Sequence, residues 1–266
     1  MITVHPSMKR LTIILACILA LCACATPPTA LVEPDPTILR VGVSPDAPPL
    51  IFKQNDRITG LEAEMAMALA SHLGKTAVLV ETPWENQIPA LLDNRIDIIM
   101  SGMSVTPARE YKISFAKPYF KSGLMILVKD LNKFTFIKNV HTVLAQSITW
   151  RIGVVKGTTG ESFTRLKSIG AKSLKAFTSQ EEALNALVAG RIDVFIHDAP
   201  VVLMMAAKHQ SEGVKPLPVM LNEEYLAWGL RKNDPDRVES VNAFIDQARQ
   251  DGSLQTTIKR WIPLAE

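Results

Sequence analysis

The side chains able to do chemistry are few, and their spacing excludes most reactions before it suggests any. His72, His141, His197 and His209 show no H-x-x-x-H or similar metal-ligand spacing. Ser101 lies in Met100-Ser101-Gly102-Met103, which is not the Gly-x-Ser-x-Gly elbow of a serine nucleophile. Lys156 to Gly160 carries glycines without the Walker pattern, so it is no nucleotide-phosphate loop of that kind. Cys17, Cys22 and Cys24 all fall near the N-terminus, which leaves the body without a thiol nucleophile, a disulfide or a cysteine zinc site. No cofactor is implied. What remains are charged and hydroxyl residues in short polar loops: Ser44-Pro45-Asp46, Ser101 to Arg109, Lys156 to Gly160, and His197-Asp198. The Arg109 guanidinium is a planar fork of donors that suits a carboxylate, although an arginine on a loop is, by itself, usually a solvated surface group. Asp198, read alone, is as well placed to cap a helix starting at Ala199-Pro200.

The elements that must position these loops repeat themselves. Arg40-Val41-Gly42-Val43 returns as Arg151-Ile152-Gly153-Val154, and Arg95-Ile96-Asp97-Ile98-Ile99 returns as Arg191-Ile192-Asp193-Val194-Phe195. Each half opens with a β-branched strand and a polar loop, continues with a helix and a second strand, and reaches a third strand through Arg-Ile-Asp. Leu61, Met65, Leu69 and His72 mark one helix, with Leu73-Gly74 at its end and Lys75 to Val80 as the next strand. In the second half, Thr158 to Ile169 is the expected helix, Gly170 its stop, and Ala171 to Phe177 the matching strand. Ser179 and Glu182 have capping-box spacing. Alternating strands and helices imply parallel sheets, and two such halves imply two lobes. In open parallel sheets, ligands bind beyond the carboxyl ends of the strands, which is where the four polar loops lie.

The 266 residues are 47% hydrophobic and 21% charged, a globular composition. Lys9-Arg10 followed by the apolar run Leu11 to Leu21 has the form of an export signal, too short to span a bilayer as a helix. The run ends in Leu21-Cys22-Ala23-Cys24, which resembles a lipobox, so residues 1–23 are expected to be removed and Cys24 acylated. Cleavage there removes two basic residues and no acidic one, leaving 27 against 26 and a net charge of +1. A surface that near neutrality has no electrostatic footprint for nucleic acid. Residues 24–37, with Pro27, Pro28, Pro34 and Pro36, form a stiff tether.

From about Leu39 to Trp261, the chain resembles the extracytoplasmic solute-binding proteins of the polar amino-acid group, bacterial family 3, which feed ABC importers. The resemblance is carried by an ordered set of stretches: Thr59-Gly60-Leu61-Glu62, Trp84 with Ile88-Pro89-Ala90-Leu91, Ser101 to Arg109, Phe115 to Phe120, Gly153 to Gly160, and Asp251-Gly252-Ser253. It implies an α/β fold of two lobes joined by two crossovers, the periplasmic-binding-protein-like fold. Lobe one is expected over 38–122 plus 230–266, and lobe two with the crossovers over 123–229. Ser122 to Val128 would carry the chain out and Glu224 to Leu230 would bring it back.

The resemblance also implies roles. Arg109 matches the arginine that holds a ligand α-carboxylate, with Thr159 and Gly160 meeting the same carboxylate from the second lobe. Ser104 matches a hydroxyl contact and Gly102 a backbone contact to the amino group. Asp198 matches the carboxylate that pairs with the α-ammonium. Trp84 is the expected platform for the ligand side chain. Ser44 stands where the family often has Asp, and Glu62 matches an acidic position beside the cleft, while Lys156 and His197 are expected on a solvated rim. The implied partners are an amino acid or similar small carboxylate, an importer permease, and a membrane reached through the lipid on Cys24. A cyclohexadienyl dehydratase-like enzyme and a solute-sensing module are the alternatives on the same fold. The retained Asp198 favours binding over dehydration, and no catalytic or membrane-spanning extension follows the second lobe before Glu266.

Overall fold

The computed structural model describes residues 35–167 and 173–263. The export signal 1–23, the acylation site Cys24, the tether before Asp35 and the expected helix stop Gly170 lie outside the described residues. The first lobe begins with β1 (Ile38–Val43), the short antiparallel β2 (Asp46–Ala47), β3 (Ile51–Gln54) and β4 (Arg57–Thr59), then α1 (Leu61–His72) and β5 (Thr76–Glu81). It continues through α2 (Gln87–Leu92), β6 (Ile98–Ile99), α3 (Pro107–Glu110), β7 (Ser114–Phe115) and β8 (Phe120–Ser122). The second lobe holds β9 (Leu124–Val128), α4 (Val140–Gln146), β10 (Ile152–Val155), α5 (Thr159–Leu166), β11 (Leu174–Phe177), α6 (Gln180–Val188), β12 (Val194–Asp198), α7 (Ala199–Lys208) and β13 (Lys215–Leu217). The chain returns through β14 (Glu224–Leu226) and β15 (Gly229–Leu230), and closes with α8 (Pro235–Gln250) and α9 (Ser253–Trp261).

Each lobe has a five-stranded sheet, ordered β5-β1-β6-β15-β7 and β11-β10-β12-β9-β13. In each, the first three strands are parallel, the fourth runs against them, and the fifth, antiparallel to the fourth, runs with the first three. The sheets are therefore mixed rather than purely parallel, because the strands next to each crossover enter from the opposite end. The crossovers are also shorter than expected. β8 and β14 pair as a two-stranded antiparallel ribbon, while Leu124–Val128 and Gly229–Leu230 already belong to the two sheets.

The two sequence echoes turn out to be one device. The Arg40 backbone N–H and Nε donate to Asp97 Oδ2 at 2.9 and 3.0 Å, and Nη2 donates to Oδ1 at 2.8 Å. Arg151 repeats all three bonds to Asp193 at 2.8, 3.0 and 2.5 Å. The glycine two residues on from each arginine makes room for the isoleucine that precedes the aspartate. A Cβ on Gly42 would overlap the Ile96 Cδ1 methyl, and one on Gly153 the Ile192 Cδ1 methyl. The outcome is the same register in both lobes, with Gly42 beside Ile99 and Gly153 beside Phe195.

Apolar packing closes both faces of each sheet. Trp228 is fully buried and stacks between Tyr119 and Phe244, with ring centroids 5.3 and 6.0 Å away. Residues 130–149 form two 3-10 turns flanking α4. They bury Phe134, Ile137 and Val143 against the second sheet beside Trp150. Ser179 caps α6 by accepting from the Glu182 N–H, but the Glu182 carboxylate reaches Thr178, one residue before the expected capping-box partner.

Asp97 gives this architecture a pH signature. Burial pushes its carboxyl up, but the Arg40 hydrogen bonds and charge outweigh it and hold the pKa below its ordinary value. A carboxylate with a lowered folded pKa stabilises the protein above its unfolded pKa of about 4 and loses that contribution as the pH falls through the folded value. Asp97→Asn should lower the unfolding free energy by about 2 kcal/mol near neutrality. Urea unfolding across the acid range should show the gap to the parent narrowing below about pH 4, and a gap that is flat with pH would refute the assignment.

Candidate ligand-binding site

The carboxyl ends of β1, β6, β10, β11 and β12 turn into loops that line one cavity between the lobes, with about 460 Å³ of empty space including its mouth. On the first lobe, the Ser44 N–H donates to Ser101 Oγ at 2.8 Å, which ties two of these loops together. Ser44, Gly102, Ser104, Trp84 and Arg109 all reach the cavity wall. Glu62 does not. It is fully buried behind the wall and accepts from the Gly102 N–H at 2.6 Å, the Tyr119 hydroxyl at 2.5 Å and Trp228 Nε1 at 2.9 Å. Burial pushes its carboxyl up while the three donors pull it back, and the net direction is up. The acidic position beside the cleft thus acts through Gly102. That residue sits at φ +67°, with its N–H committed to Glu62 and its carbonyl as the remaining backbone contact.

Arg109 is placed by a short capped turn. Thr106 accepts from the Arg109 N–H, and Pro107 takes the first position of α3, where a missing N–H costs nothing. Its Nη1 donates to the Ser104 carbonyl at 2.8 Å, and Nη2 reaches the Gly157 carbonyl of the second lobe at 3.2 Å. Trp84 Nε1 donates to that same carbonyl at 3.0 Å, and the Trp84 ring lies under the guanidinium at 5.2 Å. The ring expected as a ligand platform therefore supports the arginine and joins the lobes as well as lining the cavity. Burial lowers the Arg109 pKa and the charges of Asp198 and Glu224 raise it, yet a guanidinium stays protonated through such a shift. Two of its five N–H groups have partners, which leaves a fork for an anion.

On the second lobe, Gly157 adopts φ +75° and donates its N–H to Glu161 Oε2 at 2.7 Å. Thr158 caps α5, so Thr159 and Gly160 are its first residues and bring the helix-start amides to the cavity. A Cβ on Gly160 would stand 2.9 Å from the Ile196 carbonyl, so a side chain there would push α5 off β12. Asp198 occupies the cap position of α7 without making a capping bond. Its Oδ1 is buried and has no partner among the described residues, and the same holds for Gln180 Oε1 in the same wall. His197 is buried rather than on a solvated rim. Its Nδ1 accepts from the Asp198 N–H at 2.8 Å, so the neutral ring carries its proton on Nε2, and its 3.4 Å approach to Asp198 Oδ2 is not an ion pair. Lys156 is exposed at the rim, 3.9 Å from Glu85.

The sequence reading assigned no role to three contributors, although it named the loop that holds Asp46. Asp46 stands at the cavity mouth, where burial raises its carboxyl above the ordinary range. Gln180 is the first residue of α6 and was read only as part of a helix start. Glu224 was read as part of a crossover, yet Ser104 Oγ and Thr159 Oγ1 both donate to its Oε2, at 2.5 and 3.0 Å. The one signal for it was the strand alternation of Glu224-Tyr225-Leu226, which faces Glu224 inward.

Two lobes built on matching sheets, with a polar cavity between the strand ends, define the class of two-lobed solute-binding proteins. The pattern described as bacterial extracellular solute-binding proteins, family 3, matches residues 39–264, and the chain belongs to that family. It is 29% identical over 224 residues to the L-cystine-binding protein TcyJ of Escherichia coli, which covers 84% of this chain and 82% of that one. It is 30% identical to a probable histidine-binding protein of Campylobacter jejuni, with 84% of each chain covered. Among solved structures, a binding component of an ABC transporter from Wolinella succinogenes complexed with lysine superposes with a TM-score of 0.80 at 27% identity. It covers 85% of this chain and 96% of its own. The ancestral amino-acid-binding protein AncCDT-1, a precursor of cyclohexadienyl dehydratase, superposes with a TM-score of 0.75 at 33% identity, covering 85% and 95%. Among the described residues, no group of three or more side chains could hold a metal ion, and no helix is long and apolar enough to cross a membrane.

Glu62 generates a prediction about the wall itself. Glu62→Gln keeps the size of the side chain but turns an amide N–H2 toward buried donors. It should destabilise the fold by about 2–4 kcal/mol. Chemical unfolding measures this, and a midpoint equal to the parent's would show that the buried carboxylate does not hold the Gly102 loop.

Proposed function

We propose that this protein captures a free amino acid, or a closely related small carboxylate, outside the cytoplasm and delivers it to an ABC importer. One observation carries the reading. A single cavity is lined both by Arg109, with donors to spare, and by Asp198, whose Oδ1 has no partner among the described residues. A zwitterion satisfies both, whereas a plain carboxylic acid leaves a desolvated carboxylate without a donor. Arg109 and the amides of Thr159 and Gly160 take the α-carboxylate. Asp198, the Gly102 carbonyl and Ser104 take the α-ammonium, while Ser44 and Trp84 wall the side chain. Relatives named for cystine, histidine, arginine and lysine support the amino-acid class. Acylation at Cys24 would tether the folded body, first lobe 38–122 plus 230–266 and second lobe 123–229, to a membrane beside its permease.

A thermal-shift panel of the common amino acids, ornithine, cystine and small carboxylates tests the class, because a ligand bound only by the folded state raises its stability by mass action. At least one amino acid should raise the midpoint, and a panel without any shift would sink the proposal. Arg109→Ala and Asp198→Ala should each weaken that amino acid by about a hundredfold or more, read by calorimetry, since each leaves a buried ligand charge unpaired. The AncCDT-1 likeness also calls for incubation with prephenate and arogenate. Turnover without amino-acid binding would replace the transport reading by the enzymatic one.

A further inference from the structure

Two of the hydroxyls in the cavity wall, on Ser104 and Thr159, each have one proton to give, and in this structure both protons go the same way. Ser104 on the first lobe and Thr159 on the second donate to one oxygen, Glu224 Oε2. Glu224 is 7% exposed and sits on the crossover strand, locked there by β14 pairing with β8 and by the Val105 N–H donating to the Tyr225 carbonyl at 2.8 Å. The direction of these bonds is itself fixed further out. The Leu124 backbone N–H donates to Asn222 Oδ1 at 2.7 Å, so the Asn222 amide must turn Nδ2 toward Glu224, where it donates to Oε1 at 2.8 Å. A backbone amide therefore orients an asparagine, the asparagine occupies one carboxylate oxygen, and the other is left to collect both hydroxyl protons.

We infer that Glu224 is a positioning residue that sets the polarity of the ligand site. By taking the protons of Ser104 and Thr159, it leaves both hydroxyl oxygens facing the cavity as acceptors only, so they read the ligand's ammonium and not its carboxylate. A hydroxyl has one donor and two lone pairs, and once the donor is committed to a carboxylate only lone pairs remain for the ligand. This reverses the role that the family resemblance gives the Thr159 hydroxyl. It assigns the carboxylate to Arg109 and to the α5 amides alone, and it adds the Thr159 hydroxyl to Asp198 and Ser104 on the ammonium side. Discrimination between an amino acid and its des-amino counterpart is then spread over both lobes and depends on a residue that does not line the cavity. The inference rests on the amino-acid reading above.

The test is selectivity, measured by calorimetry. The probes are the amino acid that most stabilises the parent in the panel above and the acid in which hydrogen replaces its ammonium, which for arginine is 5-guanidinopentanoate. In Glu224→Gln, the Asn222 amide forces the new side-chain oxygen toward itself and the new N–H2 toward the hydroxyls, which must then turn their protons into the cavity. The parent's preference for the amino acid over the des-amino acid should fall at least tenfold, with the des-amino acid bound as well as before or better. Ser104→Ala/Thr159→Val, which leaves Glu224 in place, should weaken the amino acid severalfold and spare the des-amino acid. In that background, Glu224→Gln should no longer move the ratio. An unchanged ratio in Glu224→Gln, or equal weakening of both probes, overturns the inference. So does a double variant that loses the des-amino acid instead, and that variant decides the matter if Glu224→Gln does not fold. A parent that binds no amino acid refutes the functional proposal, which is a different failure from a parent that binds one with a ratio indifferent to Glu224.

Discussion

The site depends on register, and register depends on one arginine–aspartate clamp used twice. Parallel ladders have evenly spaced hydrogen bonds and little in the backbone to prefer one alignment over the next, and a slip by one residue would turn every side chain to the opposite face. Arg40 on Asp97 and Arg151 on Asp193 remove that freedom at the entry of the third parallel strand in each lobe. Much of the cavity wall hangs from the far ends of those strands: Ser44 and Ser101 in one lobe, the Lys156–Thr159 turn and His197-Asp198 in the other. The first copy is also partly sheltered, with the Asp97 side chain 7% exposed, so its charge-assisted bonds are less screened than those of the more exposed Arg151–Asp193 copy.

Between the lobes, the contacts are of another kind. They are polar, few and shared: the Gly157 carbonyl accepts from Trp84 and Arg109, and Glu224 accepts from Ser104 and Thr159. Each such contact is modest alone, because it replaces bonds that water would otherwise make. Their grouping around Arg109 gives the closed arrangement a purpose beyond cohesion. The guanidinium is held by two carbonyls and an aromatic face, which limits the side-chain freedom that binding must still take from it. The same closure surrounds the ligand with low-dielectric protein, where a mismatched charge is expensive.

The sequence was most informative where a rule is local. Helix α1 and its stop at Leu73-Gly74, the closing helices, and the loops after β1, β6, β10 and β12 could all be read from periodicity, caps and the rule that ligands meet strand ends. The family resemblance supplied Arg109, Ser104, Gly102, Thr159, Gly160 and Asp198, and all of these line or adjoin one cavity. The losses were non-local. Nothing in Thr59-Gly60-Leu61-Glu62 says that Glu62 will be covered by Tyr119 and Trp228, which lie 57 and 166 residues away. Nothing near Glu224 announces Ser104 at a separation of 120 residues. The echo of Arg-x-Gly-Val and Arg-Ile-Asp was visible, but that each arginine would grip the aspartate of the second motif needed the sheet.

Of the four tryptophans, Trp150 and Trp228 are buried within single lobes, and Trp261 donates to Glu64 beside its own helix pair. Trp84 alone binds across the gap, with its indole N–H on Gly157 and its ring under a cation. Opening the lobes would take the Gly157 carbonyl from that indole and admit water to it, while Arg109 stays beside it on the same lobe and the other three tryptophans keep their surroundings. The molecule thus carries its own optical gauge, one tryptophan of four whose surroundings change with the distance between the lobes.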